Sequence, residues 1–413
     1  MKNHVTRLWK KIGPGFITGA SDDDPSGIAT YTQAGAAFGV TTLWVAWLSL
    51  PLMISIQEMC ARIGLVQKKG LVSVIRKYYP GWMLYVLVLL SFPAITLNIG
   101  ANIAALGAVG HMLAPGLDAN FISLLFVVLL LWMMIKFSYK KIAAVLKWLG
   151  VVLLVYIIVP FLFRQDLRFI IRHSLIPEFE MTQSFVATIV GLLGTTISPY
   201  LFFWQASMER EEIRHKKVVV DKHIITNMQT DVKTGMIFSN LIMYFIILTA
   251  ATVFYPNGIR SIDTVEDAAM ALYPLAGNAA YLLFSLGIIG TGLLAIPVLA
   301  GSLSYMMAET FRWKEGLDKK FHEAKGFYIT MITALFIGFA VNFIGISPVK
   351  ALIYTAVIYG LIAPVLIAMI LHICNSKRIM GSFVNDRKSN AWGLACLLLM
   401  TVSAGTLIYL LLD

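Results

Sequence analysis

Eleven runs of mostly apolar residues, each long enough to cross a bilayer, constrain this chain more than anything else in it. They fall at about 12–38, 41–66, 82–111, 119–137, 142–164, 183–207, 232–254, 278–307, 326–345, 348–373 and 391–412. A spanning helix needs roughly 20 apolar residues. Inside hydrocarbon, every backbone N–H and C=O must also find a partner, which helices supply internally. The pattern therefore predicts an all-α polytopic membrane protein, with residues 1–413 as a single transmembrane domain. Charged residues make up 13% of the chain, well below the roughly 25% of a soluble domain. The polar connections, the longest near 208–231 and 312–325, leave no room for a separate soluble domain. Cys60, Cys374 and Cys396 show no metal or redox spacing and read as buried thiols. The start, MKNHVTRLWKKIGPGF, has no small-residue cleavage site behind a short apolar core, so the first run reads as a retained helix.

The distribution of positive charge tests this count of spans. With eleven spans and the N-terminus inside, 28 of the 33 Lys and Arg residues fall on the cytoplasmic side. The outer side holds only Arg164, Arg168, Arg172, Arg260 and Lys350. Cytoplasmic loops carry such an excess of Lys and Arg, so the expectation is a plasma (inner) membrane protein with its N-terminus inside and its C-terminus outside. The basic stretch RHKKVVVDKH (214–223) is then a loop facing anionic head groups, and the net charge of +11 does not point to nucleic acid.

Within the first span, TGASDDDPSGIAT (18–30) places Asp22, Asp23 and Asp24 before Pro25. One Asp at the centre of a membrane helix costs about 2.5–3.5 kcal/mol on insertion scales. Pro25 lacks an N–H and disfavours helical geometry at Asp24, so the span is expected to unwind between about 20 and 26. Asp24 would cap the restarted helix with Pro25 at its first position. Non-helical backbone at membrane depth survives where it lines a cavity. A matching interruption occurs in GLLGTTISPYLFFWQ (191–205), at Thr195, Thr196, Ser198 and Pro199.

These two interrupted spans are the first of two sets of five, 1–164 and 183–373, with 391–412 as an extra helix. Five is odd, so the second set enters the membrane from the opposite side. That is the 5+5 inverted-repeat architecture of the LeuT-like fold, with spans 1 and 6 unwound at the midplane. Carboxylates and freed carbonyls are hard oxygen ligands suited to a small divalent cation. Three adjacent carboxylates would repel an anionic substrate. Asp22 and Asp23 read as wetted helix ends that attract the ion or hold bridging water.

The motifs carry a resemblance. GPGFITGASDDDPSGIATYTQAGAAFG resembles the first span of the Nramp family of divalent-metal transporters, where a GPGF start precedes Asp-Pro-Gly-Asn and a Gln-Ala-Gly-Ala segment. LWVAWLSLPLMISIQEMCARIGLV (43–66) is similar to its second span. GLLGTTISPY resembles its sixth, which a Met-Pro-His motif interrupts, and ALIYTAVIYGLIAPVLIAMILHICNSKRIMG (351–381) resembles its tenth. The resemblance implies that Asp24 binds the metal, with backbone carbonyls from Ser21 and Thr195 beside it. Departures from the family pattern are as informative. Gly27 stands for its ligand Asn, Ser198 for its Met, Tyr200 for the following His and Gln205 for a second His. ITLNIGANIAALGA offers Asn98 and Asn102 where the family has an acidic pair.

A thioether favours transition metals, and Ser198 removes that bias. Mg²⁺ keeps several of its waters, so a roomy oxygen-lined site suits it. The missing His and acidic residues are natural proton carriers. The pattern resembles the Nramp-related magnesium transporter branch. The expectation is a monomeric importer of Mg²⁺, with Mn²⁺ also accepted, working without proton coupling and without a cofactor. Rival readings are a proton-coupled Mn²⁺/Fe²⁺ symporter, a sodium-coupled symporter of an organic solute on the same fold, and a metal-sensing receptor that transports nothing. No activated nucleophile or His–carboxylate arrangement suggests an enzyme.

Overall fold

The structure, a computed structural model, describes residues 13–137, 151–163, 166–216 and 220–412. Every element of secondary structure among the described residues is a helix. The first apolar run forms two helices, α1 (Pro14–Asp22) and α2 (Pro25–Phe38). There follow α3 (Trp44–Gln67), the short α4 (Leu71–Tyr78), α5 (Gly81–Leu113) and α6 (Ala119–Lys136). The run expected at 142–164 lies partly outside the described residues; 151–163 within it are short helical turns. Next come α7 (Leu167–Leu175), α8 (Gln183–Thr196), α9 (Pro199–Lys216) and α10 (Lys222–Val253). The chain closes with α11 (Ala280–Phe311), α12 (Lys325–Val341), α13 (Pro348–Asn375) and α14 (Arg387–Leu412). Nine stretches among the described residues are long and apolar enough to cross a bilayer, with α8 and α9 taken together as Gln183–Arg214. Separately, α1 and α2 are too short, at 9 and 14 residues.

Local chemistry sets the helix ends. Side chains of Asp118, Thr182, Asp221 and Ser347 each accept a backbone N–H at the start of α6, α8, α10 and α13, which satisfies donors that a helix start leaves orphaned. The Asp221 cap starts α10 at Lys222 rather than at 232, where its apolar run begins. The polar turns from Lys222 to Asp231 are therefore helix, not loop. Similarly, α9 continues to Lys216.

α10 packs along both α1 and α2, and α13 packs along α8 and α5. Small residues permit the close approaches. A Cβ on Gly19 would stand 2.3 Å from the backbone of Gly235, and one on Gly194 would stand 2.1 Å from the Ala356 carbonyl oxygen. Membrane helices associate through such small-residue contacts. On the periphery, α6 and α14 expose apolar side chains such as Leu125, Trp132, Leu398 and Val402. The two chain interruptions, between α1 and α2 and between α8 and α9, lie in the interior of the bundle.

Candidate cation site between the two helix interruptions

Asp22 ends α1 and Asp23 follows at φ −79°, ψ 52°; Asp24 is extended at φ −72°, ψ 170°. Asp24 caps α2: its Oδ1 accepts the Gly27 N–H at 2.8 Å, with Pro25 at the first helical position. Its Oδ2 faces α5, where it accepts from Asn102 Nδ2 at 3.2 Å and Asn98 Nδ2 at 3.4 Å. Asn98 Oδ1 accepts in turn from Asn102 and, at 3.2 Å, from Thr355 Oγ1 on α13. The two asparagine amides are thereby held with their N–H groups toward the carboxylate.

Asp22 and Asp23 face a different wall. Asp22 Oδ2 and Asp23 Oδ1 lie 2.8 and 3.2 Å from the Ser239 hydroxyl of α10, the donor to both. The remaining oxygens, Asp22 Oδ1 and Asp23 Oδ2, have no hydrogen-bond partner among the described residues. All three aspartates are at most 1% exposed. Among the described residues none is in an ion pair with Lys, Arg or His. Buried carboxylates surrounded only by neutral donors strongly favour an added cation.

At the second interruption, α8 ends at Thr196 and α9 starts at Pro199. Ser198 Oγ lies 2.6 Å from the Thr195 carbonyl oxygen and 3.0 Å from that of Gly194, so its hydroxyl folds back on the end of α8. Tyr200 donates its hydroxyl to the Ser21 carbonyl oxygen at 3.3 Å, tying the start of α9 to the end of α1. Ser21, Thr195, Ser198 and Tyr200 are all buried.

Other residues singled out in the sequence take supporting places. Thr196 bonds back to the Leu192 carbonyl at 2.7 Å within its own helix. Gln205 lies deeper along α9, its Oε1 accepting from Thr18 at 2.5 Å and its Nε2 donating to Glu209 at 2.9 Å. Gly27 enters the site through its N–H. A Cβ there would meet the Tyr31 ring at 3.2 Å, so the tyrosine packs against the position where a side chain would begin.

Asn102 pairs with Asn98 on one face of α5, at the i, i+4 spacing of helical neighbours; two amides in an otherwise apolar run are a signal for both. Ser239 and Thr355 are hydroxyls in the apolar stretches of α10 and α13, which give no such signal. Asp231 gives none either: it lies within α10 and accepts the N–H groups of Gly13 at 2.9 Å and Gly15 at 2.7 Å. It thus anchors the start of α1, where a carboxylate complements the helix dipole.

The groups that the two interruptions offer are oxygens: carboxylates, backbone carbonyls and hydroxyls. Such donors suit hard divalent cations. Among the described residues, no group of three or more His, Cys, Asp or Glu is disposed to hold a metal. A cation here would therefore rely on carbonyls, hydroxyls and water beside Asp24.

The Nramp family, described as natural resistance-associated macrophage protein-like, matches residues 15–410. The divalent metal cation transporter MntH of Yersinia enterocolitica is 28% identical over 385 residues, covering 91% of this chain and 89% of that protein. The manganese transporter of Eremococcus coleocola has a similar structure, with a TM-score of 0.78 at 17% identity over 98% of this chain and 87% of that one. Mhp1, a nucleobase-cation-symport-1 family transporter, follows with a TM-score of 0.58 at 12% identity, over 96% of this chain and 90% of its own.

Proposed function

The chain belongs to the Nramp family, whose members transport divalent metal cations and are not enzymes, and from that premise we propose that it imports Mg²⁺, accepting Mn²⁺ as well, without coupled proton movement. The observation that carries this reading is the all-oxygen donor set where the two interruptions meet. Asp24 supplies the charge. The Ser21 and Thr195 carbonyls and the Ser198 hydroxyl supply further oxygens, and water completes the shell of an ion that keeps part of its hydration. Asp22 and Asp23, with their unpartnered oxygens, draw the cation inward or hold bridging water. Mg²⁺ gives up water reluctantly and suits such a site, whereas a softer transition metal gains less from it.

The proposed architecture is eleven spans in a 5+5 inverted repeat plus one, with spans 1 and 6 unwound at the midplane. The N-terminus is inside, the C-terminus outside, and the working unit is a monomer. Alternating access moves the ion past the site. A doubly charged ion entering a negative interior gains about 4.6 kcal/mol per 100 mV, enough to drive accumulation without a second ion.

A proton-coupled Mn²⁺ or Fe²⁺ symporter is the second reading, and it is favoured by the relatives described as MntH and as a manganese transporter. Proteoliposomes loaded with a pH dye and a metal indicator separate the two. The proposal expects Mg²⁺ and Mn²⁺ entry with no internal acidification. Acidification that follows metal entry, or entry of Mn²⁺ but not Mg²⁺, supports the symporter.

A further inference from the structure

Positive-inside patterning accounts for many basic residues on one face of a membrane protein, but not for their convergence on one concavity. A cavity of about 720 Å³ has seven Lys or Arg among its eleven lining residues. Four separate segments contribute them. Lys68 and Lys69 follow α3, Arg76 lies on α4, Arg210 and Arg214 lie on α9, and Lys314 and Lys319 follow α11. Glu315 is the single acidic residue of the lining.

Two of the seven cations are already engaged. Arg210 pairs with Glu315 and, at 3.2 Å, with Glu309. Arg76 donates to the Glu309 carbonyl oxygen. Glu309, whose side chain is 1% exposed, also accepts the Ser73 N–H at 2.8 Å. These bonds tie α4, α9 and α11 together beside the cavity. Lys68, Lys69, Arg214, Lys314 and Lys319 are in no ion pair with a carboxylate among the described residues.

Two turns in left-handed conformation lead into the lining segments. Lys68 ends α3 at φ 51°, and Arg312 ends α11 at φ 61°. Glycine is the usual residue at such helix ends. Here the turn after α3 is made by a lysine that itself lines the cavity. Like charges repel when gathered on a low-dielectric wall, and an anion bound among them removes that repulsion.

The geometry points to a binding site in this cavity for a phosphate-bearing anion carrying two or more charges. The volume accommodates a pyrophosphate-sized group, and the mixture of lysine point charges and arginine forks is the chemistry that holds phosphate oxygens. Such a group reaches the cavity from solution or as the headgroup of an anionic lipid. The site is separate from the interruptions that hold Asp24 and Ser198, and it stands whichever metal the chain carries.

The test uses purified full-length protein in nanodiscs of phosphatidylcholine, with EDTA present, and radiolabelled inorganic pyrophosphate in equilibrium dialysis. The expected result is saturable binding that weakens with salt. Lys69→Gln with Lys314→Gln should weaken it about tenfold or more, since two direct charge contacts are lost. Lys377→Gln with Lys388→Gln, outside the cavity, should leave it unchanged. Thermal melting checks that both double variants are folded. Repeating the measurement with cardiolipin, whose headgroup carries two phosphates, in the disc identifies the source. Displaced pyrophosphate assigns the site to a lipid headgroup, and retained binding assigns it to a soluble phosphate; the site stands in both cases. No saturable binding in the neutral disc, or equal weakening by the two double variants, overturns it.

Discussion

Replacing Asp24 by Asn separates the structural role of this residue from its electrostatic one. Asp24 Oδ1 caps α2 through the Gly27 N–H at 2.8 Å, and Asn is as good a cap as Asp. The cap is therefore kept. The Asn Nδ2 takes the place of Oδ2, however, and faces the Asn98 and Asn102 N–H donors, which costs about 1–3 kcal/mol; relief of a buried charge that is 1% exposed offsets part of that loss. Cation binding should suffer far more. Breaking a buried charge pair by removing one partner costs about 3–5 kcal/mol, and about 3 kcal/mol already weakens binding by roughly two orders of magnitude. Asp24→Ala serves as the contrast, since it loses the cap as well and should melt about 1 kcal/mol less stable. Uptake of Mg²⁺ and Mn²⁺ into proteoliposomes, with melting of the detergent-solubilised protein alongside, measures both effects. Wild-type uptake of both ions by Asp24→Asn would refute the assigned role.

Ser198→Met should raise the Mn²⁺ to Mg²⁺ uptake ratio several-fold, because a thioether favours the softer ion; an unchanged ratio would remove Ser198 from the site. Adding Gly27→Asn should enhance the shift at some cost in stability, since the new Cβ meets the Tyr31 ring at 3.2 Å, and the change in melting temperature reads that strain. Gly19→Ala should destabilise the protein by about 1–3 kcal/mol through overpacking, because its Cβ would stand 2.3 Å from the Gly235 backbone; unaltered melting would show that α1 and α10 separate easily. Arg210→Gln should cost about 3 kcal/mol or more by leaving the Glu309 carboxylate without its cation, and Glu309→Gln in the same chain should recover part of the lost melting temperature.

Hydropathy made the spans legible because the bilayer sets their length, but it is blind to where helices stop. α10 begins at Lys222 because Asp221 caps it, although the residues up to Asp231 are polar enough to pass for a loop. For the same reason Asp231 was outside every expected span, while in the fold it lies within α10 and holds the start of α1. The interruptions at Asp24–Pro25 and Ser198–Pro199 could be read from the chain because proline acts locally on its own neighbours. Their surroundings could not. Ser239 and Thr355 are hydroxyls in apolar stretches, and only the packing of α10 and α13 brings them to the aspartates and to Asn98.

The three aspartates look equivalent in the sequence, and the backbone makes them different. Asp22 still belongs to α1, whereas Asp24 is extended, so their side chains leave the chain toward different walls. Asp22 and Asp23 meet Ser239 on α10, and Asp24 meets Asn98 and Asn102 on α5. α10 therefore holds α1 at both ends, through Asp231 at its first N–H groups and through Ser239 at its last carboxylate. Those two residues are about 12 Å apart along a helix rising 1.5 Å per residue. The nine residues of α1 span about 13 Å at the same rise. The match means that α1 and α10 fit as a pair, with Gly19 against Gly235 between the two attachments. Moving α1 alone must break hydrogen bonds at both ends, while moving α1 with α10 breaks neither. Any change of access at this site is therefore expected to carry α1 and α10 together, and to work against the weaker 3.2–3.4 Å contacts that Asp24 makes with α5.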